Sequence, residues 1–162
     1  MKDCGDYWAY ICTYVDDLIV MHKDPMSIVK FLEERYTLKG VGTPEYHLGG
    51  DIEWRTEPER VLTWGSRTYV KRCLESYEKL FGAPPTKEVH APLDPSDHPE
   101  LDESPLLEQD GIQRYQSLMG MLQWAVTLGR MDIMCAVMTM SRFRAMPREG
   151  HLERLKRIFA YL

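Results

Sequence analysis

The chain has 162 residues, long enough for one domain or two small ones around a buried core. Hydrophobic residues make up 44% and charged residues 28%, a balance that excludes disordered, collagenous and membrane-embedded chains. The net charge of −5 does not mark the whole chain as a nucleic-acid binder, but the charge is uneven: residues 93–113 hold seven acids and no Lys or Arg, whereas residues 114–162 hold eight bases and three acids.

From Tyr7 to His22, two β-rich apolar runs are broken only by Asp16-Asp17, which predicts a hairpin. Asp24 and Pro25 give an N-cap and first-turn signal, and Ile28, Phe31, Leu32 and Tyr36 recur at helical spacing up to Gly40. Gly42 to Pro44 reads as a loop and His47 to Trp54 as a strand. Arg55 to Arg60 then forms a charged turn into a returning strand, Val61 to Trp64. Ser66 is expected to cap a helix carrying the stripe Val70, Cys73, Leu74, Tyr77 and Phe81, ended by Gly82, Pro84 and Pro85.

Thr86 to Asp110 holds Pro92, Pro95, Pro99 and Pro105 among its acids, too many breakers for a helix or central strand, and is expected to be an acidic linker or an extended surface strap. Three helices should follow. Tyr115, Leu118, Met119, Leu122 and Val126 mark the first. Asp132 is expected to cap the second, through Ile133, Ala136, Val137 and Met140. Pro147 opens the third, with Leu152, Leu155, Ile158, Phe159 and Leu162 on one face. Met119, Met134, Met138 and Met140 are expected to fill the core. The resulting class is α+β, with an α+β part over residues 1–82, an acidic Pro-rich linker over 83–110 and a helical part over 111–162.

Cys4, Cys12, Cys73 and Cys135 form no C-x-x-C pair, and Cys12, Cys73 and Cys135 sit within apolar patterns, so reduced core thiols and an intracellular, cytoplasmic setting are expected. The five histidines are scattered, which gives no metal spacing. No stretch has the length of a signal peptide's apolar region or of a membrane span, so no membrane partner is expected.

Tyr14-Val15-Asp16-Asp17 places two carboxylates where an apolar strand turns back. Adjacent anions cost free energy unless a cation or solvent screens them. Mg²⁺ prefers hard oxygen ligands, keeps some water and is usually held by one or two carboxylates together with substrate phosphates. Two such ions can activate a 3′ hydroxyl and stabilise the leaving pyrophosphate in nucleotidyl transfer. A bare Asp pair is also a common turn element that needs no metal; the full tetrapeptide in a hairpin is the more specific signal.

These residues, with others in the same order along the chain, resemble the reverse transcriptases of copia-type long-terminal-repeat retrotransposons. Tyr14 to Val20 is similar to the family's catalytic hairpin, Leu38-Lys39-Gly40-Val41-Gly42 to its "MKDLG" segment, and His47-Leu48-Gly49-Gly50-Asp51-Ile52 to its "FLGIEI" strand. Ala91-Pro92-Leu93 resembles its "TPL", Tyr115 to Gly120 its "YRSLVG", and Arg130-Met131-Asp132-Ile133 its "RPDI".

The resemblance implies a partial right-hand polymerase palm followed by a helical thumb and connection, with Asp16 as principal ligand for Mg²⁺ or Mn²⁺ and Asp17 as its support. Tyr14 and Val15 would line the primer end, and Leu48, Gly49 and Gly50 would form a primer grip. Arg142, Arg144, Arg154, Lys156 and Arg157 would follow the backbone of an RNA or DNA template-primer duplex, with a dNTP as substrate. The family's further metal-binding Asp and its fingers lie upstream, so the chain is expected to be the C-terminal half of such an enzyme and to polymerise poorly alone. By resemblance the setting is a virus-like particle. Two other readings remain: a noncatalytic retrotransposon-derived module that binds nucleic acid or protein, and a diguanylate-cyclase-like palm suggested by Gly49-Gly50-Asp51.

Overall fold

In the computed structural model, which describes residues 1–58, 61–85 and 89–162, a short strand β1 (Lys2–Asp3) pairs antiparallel with the start of β2 (Trp8–Tyr14), and β2 continues into a hairpin with β3 (Asp17–Met21). The uncharged run of β-branched and aromatic residues in β2 favours this pleated form. The Tyr7 hydroxyl and His22 imidazole are hydrogen-bonded at 2.7 Å, tying the base of the hairpin.

Helix α1 (Pro25–Glu33) follows, with Pro25 at its first turn. It ends before Tyr36, which is 64% exposed, so the helix is shorter than its apolar spacing predicts. No α1 residue is fully buried, and a helix with little tertiary packing has little to prolong it. The Asp24 side chain makes no capping bond.

A second three-stranded antiparallel sheet comprises β4 (Tyr46–His47), β5 (Gly50–Arg55) and β6 (Val61–Gly65), in that order. The expected turn over 55–60 lies partly outside the described residues, at 59 and 60. Helix α2 (Arg67–Phe81) buries Val70, Cys73 and Tyr77, and Gly82 ends it in the left-handed conformation (φ +74°), its N–H donating to the Glu78 carbonyl at 2.7 Å. Ser66 is the N-cap residue but makes no side-chain cap. The Asp51 carboxylate, from β5, accepts the Thr68 N–H at 2.8 Å instead.

Helices α3 (Gln109–Thr127), α4 (Met134–Ser141) and α5 (Glu149–Tyr161) complete the fold. Their core holds Tyr115, Leu118, Leu122, Val137, Leu155 and Phe159, and it is shared with Cys73 and Tyr77 of α2. The buried Tyr115 hydroxyl donates to the Met140 carbonyl at 2.7 Å, and Tyr69 on α2 donates to the Met121 carbonyl at 3.2 Å. Compact packing divides the chain into Met1–Glu45 and Tyr46–Leu162, and α2 buries its stripe against the C-terminal helices.

The acidic segment between α2 and α3, whose residues 86–88 lie outside the description, is a strap on α5 rather than a free linker. Arg154 binds the carboxylates of Asp97 and Asp102, the Arg157 Nε donates to the Ala91 carbonyl at 3.2 Å, and His151 Nε2 lies 2.9 Å from the Pro99 carbonyl oxygen. Leu106 bridges Arg148 just before α5.

Three other expectations are corrected. Asp132 does not cap α4, because its carboxylate is held by the Arg130 guanidinium at 2.7 Å. Met119 and Met140 are core residues, but Met134 and Met138 are exposed on the outer side of α4. Cys73 is buried, whereas Cys12 and Cys135 are exposed. The class is α+β, two small antiparallel sheets and five helices, compatible with a partial palm followed by a helical region.

Candidate functional site

The β2–β3 register ends with Tyr14 opposite Asp17, leaving Val15 and Asp16 as a two-residue turn. Such tight turns require positive φ at their first or at both central residues, which glycine usually supplies. Here Val15 takes it, at φ +53°, a conformation that costs a β-branched residue on the order of 1–3 kcal/mol. Val15 is 90% exposed. Asp16 sits at the tip and Asp17 opens β3; both are exposed, and neither carboxylate has a partner among the described residues. Tyr14 and Asp17, being cross-strand neighbours, share one face of the hairpin.

Two unpartnered hard oxygen groups fit a cation such as Mg²⁺ or Mn²⁺ that keeps water and phosphate in its remaining positions. No group of three or more His, Cys, Asp or Glu side chains arranged to hold a metal occurs among the described residues. Two carboxylates alone would supply only part of the coordination shell of such a cation.

The expected primer-grip residues form a second tight turn. The strand predicted over His47–Trp54 is interrupted: His47 lies opposite Gly50, and Leu48 and Gly49 are the turn residues at φ +50° and +87°. Positive φ at both central residues is the type I′ pattern. An added Cβ at Gly49 would lie 3.1 Å from Trp124 Nε1, and one at Gly50 would lie 1.7 Å from Trp64 Nε1. The close approach these glycines permit is taken by the protein's own indoles.

Asp51 serves the fold. Burial would raise its carboxyl pKa, but the bonds from Thr68 outweigh this and hold it below the usual value. The Asp51 carboxylate is thus engaged by the start of α2, a pairing no short motif signals.

The basic residues divide into two sets. Arg154 is 21% exposed, and its pKa is raised by hydrogen bonds to Asp97 and Asp102 despite burial. Lys156 pairs with Glu153 at 2.6 Å and lies 4.9 Å over the Phe81 ring, and Arg157 holds the strap. These three cations of α5 serve internal contacts. Arg142 and Arg144 are exposed, Arg144 donating to the Gln123 side chain at 3.2 Å. A cleft of about 480 Å³ beside α5 is lined by Asp94, Asp97, Glu153, Arg154, Lys156 and Arg157, so its acidic and basic groups balance. Among the described residues, no helix is long and apolar enough to cross a membrane.

No protein-family model matches the chain, and no solved structure matches it. Curated relatives do match. The transposon Ty5-1 protein of Saccharomyces cerevisiae is 31% identical across 99% of this chain and 51% of its own length. The retrovirus-related Pol polyprotein from transposon RE1 of Arabidopsis thaliana is 31% identical across 98% of this chain and 10% of its own length. That from transposon TNT 1-94 of Nicotiana tabacum is 32% identical across 92% and 11%. The chain spans about half the length of the first and about a tenth of the other two. Near-complete coverage of the chain by several such relatives makes it homologous to a region of retrotransposon Pol polyproteins.

Proposed function

We propose that the chain is a reverse-transcriptase region of a copia-type retrotransposon, carrying the hairpin that holds Mg²⁺ or Mn²⁺ for nucleotidyl transfer. The observation that carries this reading is the exposed, strained two-residue turn presenting two carboxylates without protein partners. The transposon Pol relatives support the same assignment. The chemistry a bound cation supplies is stabilisation of charge on the attacking and leaving oxygens when a primer 3′ hydroxyl displaces pyrophosphate.

Asp16 and Asp17 are the oxygen donors. The left-handed backbone of Val15 puts Asp16 at the tip, and Tyr14 stands beside Asp17 as a wall for the primer end. Leu48 and Gly49 offer a rigid turn to the nucleic-acid backbone, while Arg142 and Arg144, unlike Arg154, Lys156 and Arg157, remain exposed for phosphate contacts. A third carboxylate and the fingers would come from another segment of a Pol polyprotein, and the working compartment would be a cytoplasmic particle.

Mixing this chain with a matching fingers and upstream-palm fragment tests the proposal. Mg²⁺-dependent extension of a DNA primer on an RNA template is expected, falling at least about a hundredfold in Asp16→Asn. No extension, or extension indifferent to that substitution, removes the catalytic assignment.

A second reading, a noncatalytic nucleic-acid-binding module, draws on the incomplete carboxylate set. It predicts duplex binding that weakens with salt and survives Asp16→Asn, without extension in the mixture.

A further inference from the structure

The β1 strand covers only part of one edge of β2. Lys2 and Asp3 lie opposite Ala9 and Trp8, and among the described residues no strand pairs with Ile11 to Tyr14 on that side. The pair Tyr14–Asp17 closes a two-residue turn, so Tyr14, Cys12 and Tyr10 direct their N–H and C=O groups at β3. By alternation, Ile11 and Thr13 direct theirs at the open edge. Soluble proteins usually blunt such an edge with a lysine, a proline or a bulge. Strand β2 contains no charged residue and no proline, and its ladder to β3 runs in unbroken register.

The strand is also close to self-complementary. Tyr10-Ile11-Cys12-Thr13-Tyr14 has an aromatic at both ends and a β-branched residue on either side of Cys12. Tyr10, Ile11 and Tyr14 are 38%, 45% and 56% exposed, and Cys12 is exposed too.

We propose that the open edge of β2 pairs with the same edge of a second copy of this chain, antiparallel about a two-fold axis at Cys12. In that register Ile11 exchanges backbone hydrogen bonds with Thr13 of the second copy, and Thr13 with its Ile11. Each Tyr10 faces a Tyr14, an aromatic cross-strand pair of the kind that stabilises sheets. Met1, which lies outside β1 and is 88% exposed, must move aside, and Lys2 with it where the second copy's turn passes Ala9. The two Cys12 residues become a non-hydrogen-bonded pair with Cα atoms about 4.5 Å apart, a spacing a disulfide can bridge. Neither copy brings a charge to the seam from β2, so the isologous pairing meets no like-charge repulsion there.

The test uses the full chain carrying Cys4→Ser and Cys135→Ser, which leaves Cys12 as the exposed thiol. Sedimentation over about a hundredfold range of concentration reads association. Oxidation by diamide, which takes up the two thiol protons and two electrons as the disulfide forms, reads the register. Self-association and a Cys12-linked dimer are expected. Cys12→Ser should abolish the link and keep the association. Thr13→Pro removes an outward N–H and no bond to β3, and Ile11→Lys places a charge at the seam. Each should weaken association by at least about tenfold. Should Thr13→Pro fail to fold by circular dichroism, Ile11→Lys, at a half-exposed side chain, carries the test. A monomer at every concentration, or a dimer unaffected by Ile11→Lys, overturns the proposal and gives the edge to another strand.

Discussion

Replacing Asp102 by Asn removes the anion on which docking of the strap turns. Its side chain is only 8% exposed and lies against the start of α5, where a Cβ added to Gly150 would fall 2.0 Å from Asp102 Oδ2. Burial alone would raise its pKa. Hydrogen bonds from the Ser104 hydroxyl, the Arg154 guanidinium and the Ser104 N–H outweigh that and hold it at about 2, against an ordinary value of 3.8. At 1.36 kcal/mol per unit, the difference corresponds to about 2 kcal/mol of stability. Because the folded-state pKa is depressed, that contribution is complete above about pH 4 and is lost as pH falls towards about 2. Asn retains a carbonyl for Ser104 but not the charge that attracts Arg154. Urea unfolding followed by helical circular dichroism should find Asp102→Asn less stable by about 2 kcal/mol at neutral pH, with a melting point about 4–8 °C lower. The gap should close as both proteins are taken to about pH 2. A gap below about 0.5 kcal/mol at neutral pH, or one that does not change with pH, refutes the charge-based account of the strap.

Gly50→Ala should displace the Trp64 indole from the seat where a Cβ cannot fit, costing about 1–3 kcal/mol and shifting tryptophan fluorescence; an unchanged melt would mean the seat is not shared. Gly120 lies inside α3 with nothing within 4 Å of an added Cβ, so Gly120→Ala should raise the unfolding free energy by about 0.5–1 kcal/mol in thermal melts. Maleimide should label Cys12 and Cys135 much faster than Cys73, which is 3% exposed and whose thiol pKa is pushed up by burial; equal rates would place Cys73 at the surface.

What was legible in the sequence was local. Hydrophobic period and breakers placed α2 between Ser66 and Gly82 and the first hairpin around Asp16, because those signals act within a few residues. The strap's partner was not legible: Arg154 meets Asp97 and Asp102 across 57 and 52 positions, and nothing in either segment's composition identifies the other. For the same reason the packing of α2 on helices that follow the strap has no local signal. Apolar neighbours in sequence also misplaced Cys12, Cys135, Met134 and Met138, since alternation in a two-faced hairpin and the outer side of a helix leave apolar residues exposed. The turn at Leu48 was hidden because a non-glycine residue took a left-handed position that turn rules assign to Gly, Asn or Asp.

Val15 and Leu48 are the two described non-glycine residues with positive φ, and each occupies the first position of a two-residue turn. Their surroundings separate a structural explanation from a functional one. At Leu48 the backbone shape is accounted for by the fold, because the adjoining glycines let Trp64, Trp124 and Leu128 close on the turn. At Val15 no comparable packing exists: its side chain is 90% exposed, and the two carboxylates beside it bind nothing among the described residues. Backbone strain opposes folding there. A feature that costs the folded state, with no packing to offset it, fits the balancing interaction outside the chain that we propose for this turn. In that reading a divalent cation, which prefers hard oxygen ligands, would meet the two carboxylates that the turn presents.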